Sequence, residues 1–151
     1  MNEAYIWSVR KEWGKEAFEN IGSDKQYNDY AYNVKRKPRV GDIIVFYSNK
    51  ELLGSVPVIS GFRPTTFEDF KNHPSWTRKW KYIMGLDGKH KHVFSPPVKV
   101  EDVADNIAKL KGKLNLHNSC RFPLIITINE YNLIKQKANR HLLYPSRKIK
   151  S

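Results

Sequence analysis

GDIIVFYSNKELLGSVPVIS, residues 41–60, decides how this chain is read. Gly41 and Asp42 make a turn after Val40, and IIVFYS at 43–48 is an apolar run rich in β-branched and aromatic side chains. Asn49-Lys50-Glu51 is a second turn, and LLGSVPVISGF continues from 52 to 62. Two such runs joined by a short polar turn make a β-hairpin. The unbroken hydrophobicity of 43–47 predicts a strand buried on both faces, as in the middle of a barrel. Pro57 has no N–H to donate to a ladder, so it is expected at an edge or a bulge.

Working outward, AYIWSV at 4–9 reads as an opening strand, with Tyr5, Trp7 and Val9 on one face and Ile6, Ser8 and Arg10 on the other. A short helix is expected over 14–20, and a long loop with helical turns over 22–39. Residues 63–75 read as an irregular linker with one helical turn at FEDF. KYIMGL at 81–86 and HVFSPPVKV at 92–100 flank a turn at Gly88 and are expected to pair with each other. Val103, Ile107 and Leu110 share a face of a helical segment at 101–113. A closing helix, NEYNLIKQKANRH, is expected to be N-capped by Thr127 or Asn129, with Glu130 early and basic residues late. The pattern predicts an α+β fold: a small open β-barrel of five or six strands decorated by short helices. A single domain is expected over 1–145, with 146–151 a basic tail or the start of a linker.

The net charge is +12 over 151 residues, beyond the magnitude of about 2–8 that solubility asks for. Polyanions are the natural partners of such a surface, and nucleic acid is the commonest. The single cysteine, Cys120, forms no disulfide within the chain, which suits a reducing, cytoplasmic setting. No apolar run approaches the 18 or so residues of a membrane span, so no membrane partner is expected. None of the GxSxG, HExxH, P-loop or GxGxxG patterns occurs, so the chain reads as a binding module rather than an enzyme. Glu68 and Asp69 read as a solvated turn. His90, His92, His117 and Cys120 lack the paired spacing of a zinc site, and no metal or cofactor is expected.

The aromatics point further. Trp7 and Trp13, and Trp76 and Trp80, lie among Arg10, Lys11, Arg78, Lys79 and Lys81. An indole face in a positive field suits a nucleobase, whose stacking contributes roughly 1–3 kcal/mol. Core packing is the reading for Trp7. Trp76 and Trp80, at i and i+4, are expected to wall a slot, with a third wall from Tyr27, Tyr30 or Tyr32. Lys35, Arg36, Lys37, Lys89 and Lys91 join Arg10, Lys11, Arg78, Lys79 and Lys81 as candidate phosphate contacts.

On these residues the chain resembles the PUA-like superfamily, in particular its EVE and YTH branches. The quoted hairpin is similar to that family's central hairpin, YIWSVR to its opening strand, and HPSWTRKWKYIMGL to its tryptophan-bearing segment. FPLIITINEYNLI resembles its closing element. The resemblance implies a pseudo-barrel that takes a flipped, often methylated base between aromatic side chains, with Tyr30 or Tyr32 supplying the wall from the loop before the hairpin. It favours an EVE-like pocket for a 5-methylcytosine-type base in DNA over a methyladenine cage. The candidate pocket is Trp7, Ser8, Tyr30, Tyr32, Tyr47, Ser48, Trp76 and Trp80. Some such domains form the DNA-recognition end of modification-dependent restriction enzymes, followed by a nucleotide-driven motor. An RNA-binding PUA-like protein acting on tRNA or rRNA is the alternative.

Overall fold

Strand β3, Ile43–Ser48, is buried on both faces, as its sequence requires, and the two faces belong to different cores. The computed structural model describes residues 2–8, 18–22, 28–32, 38–74, 80–112 and 123–143, with 28–32 and 140–143 described as backbone only. Seven strands form one sheet: β1 (Glu3–Ser8), β2 (Asn28–Tyr32), β3, β4 (Glu51–Pro64), β5 (Tyr82–Leu86), β6 (His92–Lys99) and β7 (Leu124–Thr127). Their order is β2-β5-β4-β3-β1-β7, with β6 on the free flank of the first half of β4. Against the expected five or six strands, the described residues hold seven. The sheet does not close on itself among the described residues, so what is described is an open sheet in a mixed α+β fold rather than a closed barrel.

The hairpin stands as read. Asn49 and Lys50 both adopt left-handed backbone, the two-residue turn that matches strand twist. The Lys50 N–H donates to the Tyr47 hydroxyl at 3.1 Å, which holds a non-glycine residue in that costly region. At the other end Gly41 has φ +93, and a side chain there would collide with Asn2. The buried Asp42 accepts from the backbone N–H of Glu3 at 3.0 Å and of Arg39 at 2.7 Å, tying the turn to the start of β1.

Alternation then sorts the side chains. Ala4, Ile6, Val45, Tyr47 and Leu52 enter one core, covered by β6, by helix α2 (Val100–Val103) with the turns after it, and by helix α3 (Ile128–Leu143). Helix α3 contributes Tyr131, Ile134 and Ala138, spaced to share one face. Its start is a capping box: the Glu130 N–H donates to Thr127 Oγ1 at 3.1 Å, and the Thr127 N–H to Glu130 Oε1 at 2.9 Å. Tyr5, Trp7, Ile44, Phe46, Leu53 and Val56 enter the second core, where Met84 and Leu86 of β5 and Phe18 and Ile21 meet them.

Four sequence expectations change. Part of the long loop at 22–39 is a strand: β2 pairs antiparallel with β5, Tyr30 opposite Met84 and Tyr32 opposite Tyr82. Strands β5 and β6 do not pair with each other; β6 lies along Glu51–Ser55 of β4 and β5 along Val58–Pro64. Pro57 sits inside a central strand, at the point where the second neighbour of β4 changes from β6 to β5. The Val58 N–H donates to Asp42 on the β3 side, so the missing N–H of Pro57 falls on the other side, between the two partners. The segment at 101–113 is helical only in short pieces, α2 and a 3₁₀ turn at Ala104–Asn106, although Val103, Ile107 and Leu110 are all buried.

Candidate nucleic-acid interface

The end of the sheet where β4 and β2 finish and β5 begins gathers exposed basic and aromatic side chains. Its frame is made by residues that look unremarkable in the sequence. Arg63 and Asp69 form a bidentate ion pair, both bonds 2.7 Å long. The Asp69 carboxylate also accepts from the Thr66 N–H at 2.7 Å and the Thr66 hydroxyl at 3.1 Å, closing a capping box on helix α1 (Phe67–Asn72). The ring of His73 bonds the Asp69 carbonyl through Nδ1 at 2.9 Å. Thr65 joins this unit to the tryptophan segment: its N–H donates to the Lys81 carbonyl at 2.9 Å and its hydroxyl to the Trp80 carbonyl. Beneath, Phe62 and Tyr82 stack with centroids 4.7 Å apart at 27°.

Asp69 is therefore not the solvated turn residue expected from sequence; it is 6% exposed. The Arg63 guanidinium, with the Thr66 bonds, holds its carboxyl well below the usual carboxylate range against the opposing effect of burial. A depressed pKa means that its contribution is complete above the ordinary value near 3.9 and is lost as pH falls through the folded-state value. Asp69→Ala should lower stability at pH 7 by roughly 2 kcal/mol, with the loss concentrated in α1. Thermal unfolding at pH 7 and at pH 2–4, with amide exchange across α1, checks both the size and the acid limb. An unchanged exchange rate in α1 would remove Asp69 as its anchor.

Trp80 is half-buried at the entry to β5. Lys81 follows it in the chain and is exposed, as are Arg63 and Lys71 in the neighbouring β4–α1 unit, and Phe67 presents 81% of its surface to solvent. Lys89 is exposed in the 3₁₀ turn before β6, beyond the opposite end of β5 from Trp80, so the fold does not bring it to this group. The register of β2 on β5 brings Tyr32 to the same end, opposite Tyr82. Trp13, Trp76, Tyr27, Arg10, Lys11, Lys35, Arg36, Lys37, Arg78, Lys79, His117, Cys120 and the tail at 146–151 lie outside the described residues. Of Tyr30 and Tyr32, only the strand positions are described.

Other candidates have different employment. Lys91, a candidate phosphate contact, is engaged within the fold: its ammonium donates to the carbonyls of Phe18 at 2.7 Å and Ile21 at 2.8 Å and lies 4.3 Å from the Phe18 ring centroid. Burial pushes its pKa down. Tyr47 is 1% exposed, with its hydroxyl on the Lys50 N–H, so it is a core residue and no pocket wall. Trp7 is 5% exposed, in the second core, as its strand position suggests. Ser48 is buried and Ser8 half-buried, at the opposite end of the hairpin strands from Gly41. The recess beside them, lined by Asn49, Lys50, Glu51, Lys99 and Glu101, sets two carboxylates against two ammonium groups and so lacks the positive excess of the chain as a whole. His90 bonds Asp87 at 2.7 Å and His92 meets Phe94 edge-on. Among the described residues no three metal-ligating side chains converge, and no helix is long and apolar enough to cross a membrane.

No protein-family model and no curated protein matches the sequence. Solved structures do. A hypothetical protein from Leishmania major aligns over 94% of this chain and 98% of its own, with a TM-score of 0.59 at 13% identity. A structural-genomics protein from Agrobacterium tumefaciens aligns over 90% and 92%, with a TM-score of 0.57 at 18% identity. At these identities the likeness is one of fold, held over nearly the whole chain. An ASCH protein from Zymomonas mobilis superposes more loosely, with a TM-score of 0.49 over 85% and 91% of the two chains at 9% identity.

Proposed function

We propose that this chain is a non-enzymatic nucleic-acid-binding module that takes a flipped, modified base, of 5-methylcytosine type in DNA, against Trp80 and its neighbours. One observation carries the reading. The half-buried Trp80 is fixed through its backbone to a rigid Arg63–Thr66–Asp69 unit, and exposed cations surround that unit. Trp76 and a tyrosine of 27–32 complete the slot in this proposal, and the resemblance of the tryptophan segment to EVE-type domains supports the assignment. Phosphates position the strand through Lys81, Arg78 and Lys79, while the aromatic slot reads one base. Extrusion costs a few kcal/mol, which stacking and edge hydrogen bonds must offset.

The experiment is binding to matched DNA and RNA oligonucleotides, with and without 5-methylcytosine or N6-methyladenine, at two salt concentrations. A preference for 5-methylcytosine DNA at both salts is expected. Equal affinity for all of them would leave only the charge and end the base-pocket reading, and a preference for RNA would move the protein to the tRNA or rRNA alternative. Lys81→Gln should weaken every oligonucleotide alike and reduce the salt slope by about 1. A loss confined to the methylated strand would give Lys81 a base contact instead.

A further inference from the structure

Phe67 is the most exposed of the large apolar side chains described, at 81%, against 60% for Val40, 51% for Val93 and 37% for Leu133. Exposure alone says little, since single apolar residues are common on surfaces. Its mounting says more. Phe67 is the first residue of α1, directly after the N-cap Thr66. The two residues that flank this turn, Arg63 and Asp69, are locked by two 2.7 Å bonds, and Thr66 is bonded to Asp69 through both its N–H and its hydroxyl. An exposed ring is thus held on a braced turn, rather than on a loop that can fold it back. Two residues before it, Thr65 bonds the backbone of Trp80 and Lys81. Lys71 lies one turn along the same helix face, while Glu68 is about 100° around the helix.

We infer that Phe67 is the wedge that enters the duplex where the target base leaves it, occupying the vacated stack while Trp80 receives the base. The inference rests on the proposed function. An apolar side chain inserted at a base step supports an unstacked duplex, and a rigid mount keeps it aimed. Lys71 and Lys81 are the exposed cations nearest in the chain to this turn and to its Thr65 partner, and would meet the flanking phosphates, while the Arg63 guanidinium stays committed to Asp69.

The test uses duplex and single-stranded DNA carrying one 5-methylcytosine, with 2-aminopurine as its neighbour to report unstacking. Phe67→Ala should lower duplex affinity about tenfold and suppress the 2-aminopurine signal. Binding of the single strand, which has no stack to fill, should stay within about twofold by the same logic. Phe67→Leu should restore duplex binding. Because the side chain is exposed, both variants should melt with the wild type. Equal losses on single and double strands would make Phe67 an ordinary stacking surface and overturn the wedge, as would no loss on either. If Trp80→Ala abolishes methyl preference while Phe67→Ala behaves as wild type, the wedge falls and the pocket stands. If the wild type shows no methyl preference and no 2-aminopurine response, both fall together.

Discussion

Trp80→Ala is expected to reduce affinity for a 5-methylcytosine oligonucleotide by roughly ten- to a hundredfold, the equivalent of losing one base-stacking surface. The prediction is sharp because the side chain and the backbone of this residue do separate jobs. Its carbonyl accepts from the Thr65 hydroxyl, and the next residue's carbonyl accepts from the Thr65 N–H. Alanine keeps both bonds, so the entry to β5 stays in place. The half-buried indole also packs, so a fall in stability of about 1 kcal/mol is expected from its lost apolar contact. That loss leaves the folded fraction at 25 °C essentially unchanged, and binding is measured there. Affinity for unmodified DNA at low salt should hold, because phosphate contacts supply it. Equal losses on methylated and unmodified DNA would mean that Trp80 supports the surface without reading a base. No loss on either would remove it from the interface.

Gly54→Ala should be the most damaging single-atom change in the described fold. Gly54 lies in β4 between two partners, opposite Phe46 of β3 and Val93 of β6. A Cβ built there would fall inside contact distance of the Phe18 ring and of the His92 carbonyl oxygen. The ring is wedged against Phe46, with centroids 5.3 Å apart, and beneath the Lys91 ammonium, so it cannot swing away without opening the second core. The carbonyl belongs to a paired strand and has less freedom still. We expect about 3 kcal/mol or more of destabilisation, at the upper end of overpacking costs. For a chain of this size that lowers Tm by about 6–12 °C. Gly61→Ala is the control: Gly61 lies in the same strand, with nothing within 4 Å of its Cβ position. It should be neutral or slightly stabilising. Two equal melting shifts would mean that the cost comes from strand backbone rather than from the close approach.

The two glycines show how sequence and structure divide the information. Both sit in one apolar run, and nothing in their neighbours separates them. The clash at Gly54 comes from Phe18 and His92, dozens of residues away. Asp69 behaves in the same way. In the sequence Asp69 reads as part of a solvated turn, and its capping box with Thr66 emerges only from the structure. Burial of Asp69 under Arg63 was not legible either, because that depends on the bend that carries the end of β4 back towards α1. The candidate slot was half legible: clustered tryptophans and cations marked the segment around Trp80, while Arg63 and Phe67 carried no signal of their own.

The sequence by itself determined the hairpin, with its turn beginning Asn49-Lys50, the double-sided burial of β3, and the capped closing helix. These rest on periodicity, turn chemistry and caps, all of which act within a few residues. Tertiary structure alone decided which strands pair beyond that hairpin. The β2 segment, with Asn28 and Asp29 among its tyrosines, has weak strand propensity and forms a strand because β5 offers it an open ladder. β5 and β6 are neighbours in sequence, yet each adds to a different stretch of β4, which is long enough to serve both and carries Pro57 where one gives way to the other. Lys91, one of many lysines in the sequence, became a structural residue only because folding brought three carbonyls to its ammonium.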